Sequence, residues 1–178
     1  MKKLIAVTLG VMLLAGCGAS AGGVKTGLGH TVSIKKSTDA TAEKGAFAQV
    51  DTVMAAASFD AKGKILSVSI DNAQTKVDFE KDGKVKSDKN AKPKTKKELG
   101  KDYGMIKASK IGKEWFEQAE ALEKWMIGKT VDEVKSMKVK KVDDAHPNVP
   151  DVADLTSKVT ISIEDYVFAV EEAFKNAK

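Results

Sequence analysis

From Thr31 the chain alternates apolar and polar residues as a half-buried strand does, with Val32 and Ile34 set between polar neighbours. A second alternating run over residues 46–59 places Val50, Thr52, Met54 and Ala56 on one face. Asp60-Ala61-Lys62-Gly63 then reads as a hairpin turn in which Gly63 supplies the left-handed position, and residues 64–71 bring Leu66, Val68 and Ile70 to one side. Two strands joined this way are antiparallel. A further short pair, residues 77–79 and 84–85, flanks Asp82-Gly83, another hairpin signal.

The period then changes. Ile111, Trp115, Ala119, Leu122 and Met126 recur at helical spacing, Glu120 and Lys124 form a favourable i,i+4 pair, and Gly128 can end the helix. An aromatic stripe at this spacing reads as core, so Trp115, Phe116 and Trp125 are expected to pack inward rather than to stack on a ligand. Thr130 and Glu133 make a capping box for a shorter helix containing Val131, Val134 and Met137. Residues 138–152, with Pro147 and Pro150, read as a loop. Ser162 and Asp165 repeat the capping pattern before a last helix, in which Ile163, Val167, Val170 and Phe174 would form the buried face. Strands first and helices afterwards imply an α+β fold: a small antiparallel sheet of hairpins packed with two or three helices.

The first residues carry an address. Met1-Lys2-Lys3 is a short basic region, the apolar run after it is too short to span a bilayer, and Leu14-Ala15-Gly16-Cys17 resembles a bacterial lipobox. Residues 1–16 are thus expected to be a lipoprotein signal peptide and Cys17 the lipid-modified first residue of the mature chain. The Gly-, Ala- and Ser-rich residues 17–29 read as a flexible tether, and residues 30–178 as a single domain. Gly27-Leu28-Gly29 has none of the residues a phosphate loop needs after it. A domain of roughly 150 residues can bury about two-thirds of its unfolded surface. It has room for no second large lobe, which argues against a two-lobed solute-binding protein.

Charge and composition narrow the function classes. The chain carries 30 basic against 25 acidic residues, a formal charge of +5, and every basic residue is Lys. Without the planar fork of Arg, base readout in nucleic acid is poorly served, and export argues against it too. Cys17 is the one cysteine, leaving no thiol for a disulfide, a zinc cluster or a catalytic Cys. His30 and His146 are too far apart in sequence to suggest a metal site. No Gly-x-Ser-x-Gly elbow occurs, which leaves an extracellular hydrolase without a motif. Lys-rich, Arg-free and Cys-poor usage suits the surface of a Gram-positive bacterium. Residues 81–101 hold nine Lys against Asp82, Asp88 and Glu98, and read as a solvated loop or as a surface that steers an anionic partner.

The most suggestive chemistry is Asp154-Leu155-Thr156-Ser157-Lys158-Val159-Thr160-Ile161-Ser162, a hydroxyl-rich segment just before a helix. It resembles the C-terminal signature of the FMN-binding domain family, Asp-x-x-Ser/Thr-Gly-Ala-Thr followed by a Ser or Thr and a helix. On that resemblance Asp154 takes the acidic position, Ser157 the first hydroxyl, Thr160 the flavin-bearing Thr and Ser162 the trailing hydroxyl. Lys158 and Val159 stand where the family has Gly and Ala. Gly63-Lys64-Ile65-Leu66-Ser67-Val68 is similar to the family's Asp-Gly-Lys-Ile-x-x-Val hairpin.

The resemblance implies FMN on Thr160, attached by a flavin transferase that takes the FMN moiety from FAD with a divalent metal. It further implies an electron carrier serving redox partner proteins at the membrane, rather than a turnover enzyme. The alternative is a non-flavinylated lipoprotein of the same fold, acting as a surface binding or structural module.

Overall fold

The computed structural model describes residues 23–178. The expected signal peptide, Cys17 and the start of the tether lie outside the described residues. Three antiparallel strands, β1 (Lys25–Ser33), β2 (Phe47–Phe59) and β3 (Ile65–Asp78), form a meander in the order β1-β2-β3. The turn between β2 and β3 forms as its residues dictate: Gly63 has φ +76°, its N–H donates to Asp60 O at 3.0 Å, and Asp60 N donates to Lys64 O at 2.9 Å. Gly83, at φ +83°, turns the chain between Phe79 and Val85, which are bridged. The expected separate strand at 77–79 is largely the far end of β3.

Two corrections concern the sheet. The tether was expected to run to Gly29, yet β1 already starts at Lys25. The faces also differ from a simple alternation. In β2, Val53, Ala55, Ala57 and Phe59 are buried, so the face with Met54 and Ala56 points outward. In β1 Val32 is exposed, as is Ile34 just beyond its end, the latter by 65 %, while Gly27 and Gly29 face inward. In β3 the register shifts between Ser58 and Phe59: Ser58 pairs with Ser67 and Phe59 with Ile65. The extra residue, Leu66, is turned outward at 45 % exposure, and Ile65 takes its place inside. Leu66 therefore does not share the buried side of Val68 and Ile70.

The helices close over the inner face. A short α1 (Lys96–Leu99), boxed by Thr95 and Glu98, leads through two 3₁₀ turns (Gly100–Tyr103 and Met105–Lys107) to α2 (Trp115–Met126). Trp115, Ala119, Leu122 and Met126 of α2 are buried, as their spacing predicts, and α2 packs on β3. Next comes α3 (Val131–Lys135), with both halves of the Thr130–Glu133 capping box present. Residues expected to be plain loop include a two-stranded ladder, β4 (Val139–Lys140) against β5 (Val149–Pro150), stapled by Lys138 and Lys140 to Asp151 at 3.3 and 3.0 Å.

The last helix, α4 (Glu164–Lys175), lies across β1 and β2. Its buried face is Tyr166, Ala169, Val170 and Ala173; Val167 is only partly buried, and Phe174 is 42 % exposed, edge-on to Phe59 at 5.0 Å. The small residues decide this rotation. A Cβ on Gly29 would stand 2.0 Å from Ala169 O, and one on Gly27 would stand 1.9 Å from Ala173 O, so the strand's glycines and the helix's alanines allow a backbone-on-backbone seat. The chain end completes it, with Thr26 and Lys178 exchanging two backbone hydrogen bonds of 3.1 Å. The architecture is α+β, with a three-stranded sheet, a separate two-stranded sheet and four helices among the described residues.

Candidate functional site around Thr160

Leu155 and Val159 are apolar residues four apart, and both are buried in the core. They anchor a helical turn in which Thr156 N donates to Val152 O at 3.1 Å and Val159 N donates to Leu155 O at 2.8 Å. The chain then leaves the turn, and Thr160 is met by α2. Gln118, fully buried, accepts at its Oε1 from Thr160 N at 2.8 Å and from Thr160 Oγ1 at 3.2 Å. Its Nε2 donates to Ser109 Oγ and to Lys113 O, both at 3.3 Å. One amide thus ties three segments, and its Thr160 contacts close over 42 residues of sequence. Gln118 falls within the apolar stripe of α2, three residues after Trp115 and four before Leu122. A polar residue in such a stripe is the sequence signal that would have marked it.

Thr160 lines a cleft of about 330 Å³. One wall is Met105, Ala108, Ser109 and Lys110; the β4–β5 hairpin supplies Lys140, Val142, Asp143, His146, Val149 and Pro150; Thr156 and Ile161 complete it. The first wall is held by buried Glu114, whose carboxylate accepts from Met105 N at 2.8 Å and Ile106 N at 3.0 Å, while Glu114 N donates to Glu117 Oε2 at 2.8 Å at the start of α2. On the hairpin, His146 Nδ1 meets Asp143 Oδ1 at 2.7 Å, and that hydrogen bond holds the Asp143 carboxyl below its ordinary value. Asp151 is held low in the same way by Lys140 and then Lys138. Behind the cleft, Trp115 Nε1 donates to Tyr166 Oη at 2.9 Å. Burial pushes the Tyr166 phenol up to about 12, against the opposing hydrogen bonds from Trp115 and Asn72.

The four motif residues do not converge. Asp154 and Lys158 line another depression with Glu117, Lys124 and Trp125, apart from the lining of the Thr160 cleft. Ser157 is exposed and lines neither. Ser162 was expected to cap α4, but Ile163 holds the N-cap position without a side-chain cap. Ser162 Oγ instead accepts from Asn148 N at 3.3 Å, and Asn148 Nδ2 donates to Glu164 Oε2 at 2.7 Å, so the β4–β5 hairpin ties the helix entry. No non-glycine residue among those described has a positive φ, so Lys158 sits in a backbone conformation open to any residue. Among the described residues no group of three or more His, Cys, Asp or Glu could hold a metal ion. No family model, curated protein or solved structure matches the chain significantly, and the site is read from its own chemistry.

Proposed function

We propose that the chain is a lipid-anchored, extracytoplasmic electron carrier of the FMN-binding-domain type, with FMN joined to Thr160 through a phosphoester. The observation that carries this reading is the setting of the Thr160 hydroxyl. It is held by Gln118 at the edge of a cleft that combines cations with apolar walls. The lining fits the group. Lys110 and Lys140 offer charge to a phosphate, and Met105, Val142, Val149, Pro150 and Ile161 offer apolar surface to a flavin ring. Bound flavin supplies the redox chemistry, while the residues around it set its exposure and polarity. Anchoring at Cys17 would keep the carrier within reach of redox partners at the membrane. Lys158 replaces the motif's Gly without backbone strain, which removes one objection to a functional site.

The test is co-expression with an FMN transferase, followed by intact mass and in-gel flavin fluorescence after denaturing electrophoresis. Covalent flavin is expected in the wild type and in Thr156→Ala, and its loss in Thr160→Ala. An unmodified mass, with the transferase and FAD shown to act on a known acceptor, would overturn the proposal. A second reading, a binding or structural module without flavin, draws on the separation of Asp154 from the Thr160 cleft. That reading expects an unmodified wild type and gain of flavin in Lys158→Gly, Val159→Ala.

A further inference from the structure

Lys96 is the first residue of α1, and only 8 % of its surface is exposed. Its neighbour Lys97 has a carboxylate, Glu123, at 2.7 Å, whereas Lys96 has no ion pair or hydrogen bond through its ammonium among the described residues. What it has is two aromatic faces: its Nζ lies 4.9 Å from the Tyr103 ring centre and 5.2 Å from that of Trp115. Cation–π attraction offsets part of the desolvation of an ammonium, while among the described residues its three N–H donors meet no protein acceptor. Two of the nearby carboxylates, Asp51 and Asp71, are committed elsewhere. Asp51 receives Lys36 at 2.8 Å, Gln49 at 2.7 Å and Gln74 at 3.0 Å, while Asp71 accepts from Lys97 N at 3.1 Å and Asn72 N at 2.7 Å.

This ammonium lines a cavity of about 430 Å³ between β3 and the segment leading into the 3₁₀ turns. Lys76 and Lys94 share the cavity with it, against one carboxylate, Asp102; Gln74 and Tyr103 add polar edges, and Pro93 and Leu99 an apolar wall. A buried charge with no protein partner is retained at a cost in stability, since an apolar side chain of similar length would pack there without desolvation. Three ammoniums facing one carboxylate are matched by a doubly negative guest.

We propose that this cavity binds a small dianionic oxyanion, with the Lys96 ammonium as its central donor and Lys76 and Lys94 as flanking charges. The guest's oxygens would take up the Lys96 donors that meet no protein acceptor among the described residues, with Pro93 and Leu99 as apolar contacts. The site differs from the Thr160 cleft in every lining residue and does not depend on flavin. Burial lowers the Lys96 ammonium to about 8, helped by the positive charges of Lys36 and Lys76 and opposed by Asp51 and Asp71. Binding is therefore lost as pH rises through that value, where the donor becomes neutral.

The test is calorimetric titration of the full chain with inorganic phosphate, with succinate and with acetate at constant ionic strength, across the range about one pH unit either side of the Lys96 value, with phosphate affinities referred to the dianion and succinate, doubly charged throughout, as the pH reference. Saturable one-site binding of phosphate or succinate is expected, with acetate weaker; whichever dianion binds tighter assigns the guest as phosphate-like or carboxylate-like. Lys96→Met is expected to weaken binding at least tenfold, Lys76→Met several-fold, and the pH-dependent loss should vanish in Lys96→Met. Lys96→Gln serves as a second variant, with both melted to show that they are folded. Absence of saturable binding for both dianions, or equal affinity in folded Lys96→Met and wild type, would overturn the proposal.

Discussion

Replacing Gly29 by Ala adds one methyl group at the junction of β1 and α4, where backbone packs on backbone. Its Cβ would lie 2.0 Å from Ala169 O, 2.3 Å from Ala173 N and 2.8 Å from Glu172 Cβ. Ordinary contact begins at 3.4 Å, so α4 must retreat from β1 by roughly 1.4 Å, and the obstacle is backbone that cannot rotate away. A retreat of that size forfeits a large share of the contact energy along Tyr166, Ala169, Val170 and Ala173, and it stretches the Thr26–Lys178 hydrogen bonds. We expect a loss of about 3 kcal/mol, at the upper end for overpacking, and a fall in melting temperature of about 6–12 °C for a chain of this length. Urea unfolding followed by tryptophan emission and thermal melting followed by far-UV circular dichroism measure it. Gly23→Ala, which meets nothing within 4 Å, is the control and should change stability by less than about 0.5 kcal/mol. If Gly29→Ala melts within about 2 °C of wild type, the helix is not seated on the strand backbone and this account of the core is wrong.

The other predictions concern buried polar groups. Wild-type stability should rise by on the order of 3 kcal/mol relative to Lys96→Met as pH goes from about 8 to 10.5. In that window the unfolded lysine still holds a proton that the folded one has released; paired urea titrations at pH 7 and 10.5 read the difference. Tyr166 works in the opposite sense, its raised folded pKa giving stability that is lost between about 10 and 12, so Tyr166→Phe should flatten alkaline unfolding in that range. The same substitution leaves Trp115 Nε1 without its acceptor and should cost about 1–3 kcal/mol at neutral pH, read by denaturant melts. Gln118→Leu leaves Thr160 N and Lys113 O unpartnered. It should destabilise by about 2–4 kcal/mol and speed amide exchange at Thr160, measured by nuclear magnetic resonance.

Of the candidate site, the motif singled out Thr160, and the structure places it at a cleft lined by Lys110 and Lys140 and by apolar side chains. Asp154 was named with it as the acidic position of the motif. In a turn anchored by Leu155 and Val159, adjacent side chains leave in different directions, and Asp154 ends in another depression. Ser162 followed the capping pattern by spacing, but a cap forms only where no competing donor arrives, and here Asn148 arrives. Residues 81–101 read as solvated because they are rich in Lys, and most of them are exposed. Lys96 is the exception because Tyr103 and Trp115 fold over it.

The sequence by itself determined what depends on near neighbours. The turn at Gly63, the capping box at Thr130 and the buried stripe of α2 rest on backbone conformations and hydrogen bonds that span a few residues. Tertiary structure decided which face of each strand is the core. Gly27 and Gly29 look locally like tether, because a missing side chain adds freedom to an isolated chain. Once Ala169 and Ala173 rest on them, the same missing side chains permit backbone-on-backbone packing. It also decided that Gln118 holds Thr160 and that Lys96, buried against Tyr103 and Trp115, lines a cavity. A hydrogen-bond partner or a desolvating wall supplied from far along the chain leaves no mark on the local pattern, so these features exist only once the helices close on the sheet.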